Sequence, residues 1–66
     1  SYGEMYFKNR NFEKAIEEFE QIDSSYINDN LNPGNEVREY FYMMAVCYIK
    51  VGSEQKAIET IDSGIA

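Results

Sequence analysis

Residues 3–19 read GEMYFKNRNFEKAIEEF, and residues 45–61 read AVCYIKVGSEQKAIETI. Sliding the sequence along itself by 42 positions aligns Tyr6 with Tyr48, and the run KAIE at 14–17 with the identical run at 56–59. An internal repeat of this length is typical of a helical unit that stacks on further copies of itself. Stacked helical repeats bind other proteins on extended surfaces. The repeat therefore indicates both an all-helical fold and an interaction function.

Charge excludes several kinds of partner. The chain has 12 acidic and 6 basic side chains, a net charge of −6, and no cluster of Lys or Arg. Binding a nucleic-acid backbone requires several positive charges on one face, so we expect no nucleic-acid partner. The apolar run from Phe41 to Ile49 has nine residues. A membrane-spanning helix requires about 18, so we expect no span within this segment.

The cysteine and histidine content argues against metal and catalytic sites. Cys47 is the only cysteine and there is no histidine, so no intramolecular disulfide can form and the commonest metal ligands are missing. We expect no metal and no cofactor. Cys47 lies in an apolar run, which favours a buried, unreactive thiol and is compatible with the cytoplasm. No nucleophile-and-base arrangement is visible, so we expect no enzyme.

Hydrophobic periodicity predicts four helices. In the second helix the apolar residues recur at intervals of three and four, which places them on one buried stripe with the glutamates on the solvated side. Two asparagines beside Arg10 form the predicted first turn, with Asn in the left-handed conformation. Gly52 ends the third helix, and Asn35 and Ser53 are predicted caps. The predicted helices cover about 1–8, 12–25, 36 or 37 to 50, and 53–63, and the stripe comprises Phe12, Ala15, Ile16, Phe19 and Ile22.

An asparagine-rich segment separates the two copies. Residues 28–35 read NDNLNPGN, a composition that favours turns over helix interiors. A surface loop tolerates such an insertion at a small entropic cost. We therefore expect one domain over residues 1–66, with repeat one at about 1–27, the loop at about 28–35 and repeat two at about 36–66.

The spacing of small and aromatic residues resembles the tetratricopeptide repeat. The family pattern has a small residue, an aromatic, a second aromatic, an alanine and a third aromatic at fixed intervals. The first copy meets all five positions with Gly3, Tyr6, Phe12, Ala15 and Phe19, and the second matches with Ala45, Tyr48 and Ala57 while Ile61 is aliphatic. The resemblance implies two antiparallel helix-turn-helix pairs stacked as a short right-handed α-solenoid.

The sequence also departs from the family pattern. Arg10 stands where Gly52 supplies the turn glycine of the second copy, and Glu54 replaces the aromatic that corresponds to Phe12. The period is 42 rather than about 34 residues. The family's first helix normally starts earlier, and its polar capping helix is missing, which would leave Ile58, Ile61 and Ile65 short of a neighbour. We expect a piece of a longer array, or a homodimer that covers these ends.

The resemblance implies a binding groove lined by the first helix of each pair. On the third helix, Tyr42, Val46 and Ile49 form an apolar strip, and Lys8 and Lys50 would orient an acidic flank. Two interpretations remain open: the strip is covered by neighbouring repeats or by other parts of the parent protein, or it receives an apolar or amphipathic peptide or helix. The expected groove comprises Glu4, Phe7, Lys8, Glu39, Tyr42, Met43, Val46, Ile49 and Lys50.

These expectations favour a protein-interaction module of a scaffold or adaptor. The alternative is a structural segment that mediates self-assembly or supports a larger protein without its own ligand. One subgroup of the family holds the acidic C-termini of chaperones in a clamp of Lys, Arg and Asn. The clamp positions here hold residues such as Glu4, Glu39, Tyr42 and Val46, which disfavours a carboxylate-binding role.

Overall fold

A computed structural model describes residues 2–22 and 35–65 of the chain. These residues form four helices and no strand, which confirms the all-α class. Successive helices pack on each other, and α1 also touches the third helix. The first two helices form one helical hairpin and the last two form another. The helices are α1 (Tyr2–Lys8), α2 (Phe12–Glu20), α3 (Asn35–Lys50) and α4 (Glu54–Ile65).

Three predicted boundaries differ from the observed ones. α2 ends at Glu20 rather than Ser25, because the N–H groups of Gln21 and Ile22 bond to carbonyls three residues back and tighten the last turn. α3 begins at Asn35, so this residue is part of the helix rather than a cap ahead of it. α4 continues to Ile65, two residues past the predicted end. Residues 23–34, which include most of the predicted loop, lie outside the described ranges.

The two hairpin turns have the same hydrogen bonds at an offset of 42 residues. The N–H of Asn11 donates to the carbonyl oxygen of Tyr6 at 2.9 Å, and the N–H of Ser53 donates to that of Tyr48 at 2.7 Å. This bond defines the Schellman ending of a helix, in which the residue before the donor is left-handed. That residue is Arg10 in the first turn, with φ 63°, and Gly52 in the second, with φ 86°.

The prediction of a left-handed asparagine in the first turn was therefore wrong. Asn11 follows the left-handed position, and its side-chain oxygen accepts a hydrogen bond from the N–H of Lys14 at 3.4 Å. It is thus the N-cap of α2. The left-handed conformation instead belongs to Arg10, because the Schellman hydrogen bonds fix which residue must adopt it.

The core lies where α3 packs on α2. Ala15 and Phe19 are buried on α2, as the stripe predicted, and Cys47 is fully buried on α3. The Phe19 and Tyr40 rings meet edge to face with centroids 5.5 Å apart, and the Tyr40 hydroxyl donates to the Phe19 carbonyl oxygen at 3.0 Å. These contacts join the two hairpins through one aromatic pair.

Gly3 explains the small residue at the start of the repeat. A Cβ atom at this position would lie 2.6 Å from the ring of Phe19, closer than real Cβ atoms approach other atoms. The absence of a side chain therefore lets α1 and α2 approach each other around the Phe19 ring. At an offset of 42 residues, the second hairpin has Ala45 in place of Gly3 and Ile61 in place of Phe19. A larger residue thus replaces the glycine, and a smaller one replaces the ring.

Candidate protein-binding groove

An apolar groove of about 380 Å³ runs between α3 and α4, and we call it the α3–α4 groove. Six of its lining residues come from α3, and one comes from α4. Tyr42 is the most exposed of its apolar lining residues, with 66% of its surface accessible, and Ile49 and Ile61 are also exposed. The lining residues are Arg38, Phe41, Tyr42, Ala45, Val46, Ile49 and Ile61.

The groove exists because α3 is apolar on two opposite sides. One side carries Met44, Cys47 and Tyr48, which are buried in the core. The other carries Tyr42 and Ile49, which have no such cover among the described residues. A helix that is apolar all round is normally buried on both sides. The sequence of α3 therefore has more apolar surface than the two described hairpins bury.

Three of the nine predicted groove residues lie together in the α3–α4 groove. They are Tyr42, Val46 and Ile49, the members of the predicted apolar strip. Glu39 and Lys50 are exposed on α3 but do not line this groove. Met43 is half-buried against the core.

The predicted residues on α1 lie elsewhere. Phe7 is half-buried against the core, and its ring meets that of Phe12 edge to face at 6.1 Å. The Lys8 ammonium and the Glu4 carboxylate form an ion pair at 3.4 Å, one turn apart along α1. These two residues line a separate shallow cavity with Met5 and Asn9. α1 thus adds no residue to the α3–α4 groove.

Sequence reasoning missed four of the lining residues. Phe41, Ala45 and Arg38 were not among the predicted groove residues, and all three line the groove. Ile61 was predicted to lack a neighbour. It is exposed, and it is the residue through which α4 lines the groove. The 42-residue offset, which maps Ile61 onto the buried Phe19, was the signal that would have located it.

Charge at the groove is limited to one residue. Arg38 is the sole charged side chain among the described residues that line it, and it is exposed. Lys50 is exposed one residue beyond Ile49, at the other end of the strip. An apolar centre with a cation at each end fits an apolar segment flanked by acidic residues.

A tyrosine–carboxylate contact holds the two hairpins together behind the groove. The Tyr48 hydroxyl donates to the Glu20 carboxylate at 2.6 Å. Burial, together with this carboxylate, raises the pKa of Tyr48 above its ordinary value. Burial also raises the pKa of Tyr40, and the charge of Glu20 adds to the effect. Both phenols are therefore held neutral at pH 7 and act as hydrogen-bond donors.

Cys47 does not supply a reactive thiol to the groove. It is fully buried, and burial raises the pKa of its thiol. A raised pKa lowers the fraction of thiolate, which is the nucleophilic form. In the described ranges, no group of three or more His, Cys, Asp or Glu side chains is placed to hold a metal ion. Among the same residues, no helix has the length and apolarity that crossing a bilayer requires.

No protein-family model, curated protein or solved structure matches this chain. The resemblance to the tetratricopeptide repeat therefore stays a prediction from the sequence.

Proposed function

We propose that this chain is a non-catalytic protein-interaction module that holds an apolar or amphipathic peptide or helix in the α3–α4 groove. The observation that carries the proposal is the apolar surface of Tyr42, Ile49 and Ile61, which are exposed, and of the half-buried Val46 around one concave site. Contiguous exposed apolar surface on a soluble domain marks interaction sites. A groove between two helices suits a helical ligand, which presents apolar anchors at intervals of three and four residues.

The expected affinity is moderate. Fully desolvating one large apolar side chain contributes about 1.5–3 kcal/mol. The four apolar groove residues are already partly covered, so each contributes less than this, and association costs at least about 4 kcal/mol in lost freedom of motion. The balance stays below about 8 kcal/mol, which corresponds to a dissociation constant weaker than about micromolar and suits a reversible adaptor.

The chemistry of the groove favours an apolar ligand with acidic flanks. Arg38 and Lys50 stand at opposite ends of the apolar strip and would attract carboxylates there. The centre has no cation and no amide side chain that would bind a carboxylate. The resemblance to the tetratricopeptide repeat supports a scaffold or adaptor role, because that family binds peptides in a groove. A clamp for acidic C-termini is not supported by these residues.

A displayed library of helical peptides tests the proposal. Peptides are selected on the wild-type chain, and their binding to the double variant Tyr42→Ser/Val46→Ser is then measured. The matched control is Val51→Ser, which removes an exposed apolar side chain from the second turn, outside the groove. Circular dichroism checks that each variant keeps its helices.

The expected result is enrichment of apolar peptides with acidic flanks that bind the Val51→Ser control normally and the double variant at least about tenfold more weakly. Equal binding to the double variant would place the contact surface elsewhere. Failure to enrich any peptide would remove the groove as a peptide-binding site.

A further inference from the structure

The way α3 docks on the first hairpin shows what the repeat unit is built to receive. The Tyr40 ring and hydroxyl contact Phe19, and the Tyr48 hydroxyl donates to Glu20. Met44 and Cys47 lie between these two tyrosines in the same buried cluster. Under this cover only 2% of the Phe19 surface remains exposed.

The second hairpin carries the same receiving surface without a cover. At an offset of 42 residues, Ile61 corresponds to Phe19, and Asp62 to Glu20. Ile61 is 44% exposed, and Asp62 is exposed as well. Ile58, which corresponds to the half-buried Ile16, is also exposed. This surface borders the α3–α4 groove, because Ile61 belongs to both.

The helix α1 carries three matching docking residues, of which two are exposed and the third, Tyr6, is half-buried. Tyr2 corresponds to Met44, Met5 to Cys47 and Tyr6 to Tyr48. Their α3 counterparts are buried, whereas Tyr2 is 70% and Met5 42% exposed. Three of the four α3 docking positions thus have an apolar or aromatic counterpart on α1.

The orientation of Tyr6 on α1 matches that of Tyr48 on α3. The Lys14 ammonium lies 5.7 Å from the centroid of the Tyr6 ring, and the Lys56 ammonium lies 5.8 Å from that of Tyr48. The backbone bonds that end the two helices also correspond, from Tyr6 to Asn11 and from Tyr48 to Ser53. α1 therefore presents its docking side as α3 does.

We propose that α1 of a second copy of this chain docks on the α4 side of the α3–α4 groove. The copies associate head to tail, with the second copy's Tyr2 and Met5 on Ile61, which lines the groove, and on Ile58 beside it, and with its Tyr6 hydroxyl donating to Asp62. The proposal rests on the proposed function, since it assigns a partner to the same groove. The contact is heterologous, because it joins α1 of one copy to the groove of another. A pair of copies therefore keeps one unused α1 face and one unused groove, and further copies can add at either end.

Two properties follow from the charge and size of this contact. Each copy carries a net charge of −6, so the copies repel each other, and added salt strengthens the association. α1 offers three docking residues where α3 offers four. The association is therefore weaker than the docking of α3 within the chain and depends on protein concentration.

Analytical ultracentrifugation with two complementary variants tests the proposal. Met5→Lys blocks the α1 face and leaves the groove intact, whereas Ile61→Lys blocks the groove and leaves α1 intact. The matched control is Val51→Lys, which changes an exposed apolar residue in the second turn, outside both faces. Circular dichroism checks folding, and Met5→Gln and Ile61→Thr replace any lysine variant that unfolds.

The wild type and Val51→Lys are expected to show association that increases with concentration and with salt. Each blocked variant should associate at least about tenfold more weakly. A mixture of the two blocked variants should recover the wild-type affinity, but only as a one-to-one pair, because each partner then has a single usable face.

Three results would overturn the proposal. One is a wild type that stays monomeric at every concentration and salt. Another is undiminished self-association of Met5→Lys, which would indicate a symmetric groove-to-groove dimer. The third is a mixture that fails to pair. If peptides selected on the groove still bind, only the second copy as occupant is lost; if no peptide binds either, the proposed function falls as well.

Discussion

Phe19 and Ile61 occupy the same position in the two copies of the repeat, and only one of them is covered. Phe19 is 2% exposed and Ile61 is 44% exposed, although each lies on the apolar stripe of the second helix of its hairpin. The difference arises from the neighbour, because α3 packs on α2 of the first hairpin, whereas among the described helices only α3, its own hairpin partner, packs closely on α4. The apolar stripe therefore indicates what a hairpin can bury, and the next helix decides what it does bury.

The two hairpins also differ in how their own helices meet. Phe12 packs its ring against Phe7 in the first hairpin, whereas the corresponding Glu54 of the second is exposed. The first hairpin places Gly3 against the large ring of Phe19, and the equivalent positions of the second hold Ala45 and the smaller Ile61. The second hairpin thus has no ring at the positions of Phe12 and Phe19, and its exposed side borders the proposed binding groove.

The largest expected effect separates Phe19 from Ile61. Phe19→Ala should lower the free energy of unfolding by about 3–5 kcal/mol, because it removes a buried ring together with its contact to Tyr40. Ile61→Ala should lower the free energy of unfolding by about 1 kcal/mol or less, because 44% of the Ile61 surface is already exposed to solvent in the isolated chain. Urea denaturation followed by circular dichroism measures both. Equal losses would mean that Ile61 is buried by association under the conditions used, and repeating the measurement at lower protein concentration separates that case.

The next effect tests whether each hairpin is fitted to its own pair of residues. Gly3→Ala should destabilise the chain by about 1–3 kcal/mol, since the added Cβ meets the Phe19 ring at 2.6 Å. The same substitution should cost less in a Phe19→Ile background, which recreates the pair found in the second hairpin.

A double-mutant cycle on Gly3→Ala and Phe19→Ile measures this coupling, which we expect at about 0.5–3 kcal/mol in the favourable direction. Ala45→Gly is the matched change in the second hairpin, and it should show no clash relief and a loss of about 1 kcal/mol. Strict additivity of Gly3→Ala and Phe19→Ile would show that the two residues are not fitted to each other.

Much of this fold was predictable because it depends on local pattern. Periodicity identified the four helices and the buried stripe of α2, and the repeat identified two equivalent turns. The ends of α2 and α3 were missed, since the final hydrogen bonds of a helix depend on tertiary context. The strip of Tyr42, Val46 and Ile49 followed from spacing on one helix. Ile61 did not follow from this spacing, because it lies on α4 and joins the groove only through the packing of α4 against α3. Arg38 lies on α3, four residues before Tyr42.

A third prediction compares the two equivalent tyrosines. Tyr48→Phe removes the hydroxyl that bonds to Glu20 and should cost about 1–2 kcal/mol, whereas Tyr6→Phe should be nearly neutral in the monomer. The raised pKa of Tyr48 means that the folded chain favours the neutral phenol. Its stabilising contribution is complete below the ordinary tyrosine pKa of 10.0 and is lost as pH rises above that value.

Unfolding free energies measured through this pH range should therefore fall more steeply for the wild type than for Tyr48→Phe. Parallel slopes for these two chains would show that the phenol of Tyr48 titrates alike in the folded and unfolded states.

The smallest expected effect concerns the two left-handed turn residues. Arg10 has φ 63° with a side chain, and such a conformation costs a non-glycine residue about 1–2 kcal/mol. Glycine removes that cost but gains freedom in the unfolded chain, so Arg10→Gly should stabilise by only about 0.5–1 kcal/mol. Gly52→Ala should destabilise by a similar amount. No atom lies within 4 Å of the Cβ that this substitution adds, so its cost reports the backbone conformation alone. Denaturation midpoints of the two variants should thus move in opposite directions, and a shift of both in the same direction would show that the two turns are not equivalent.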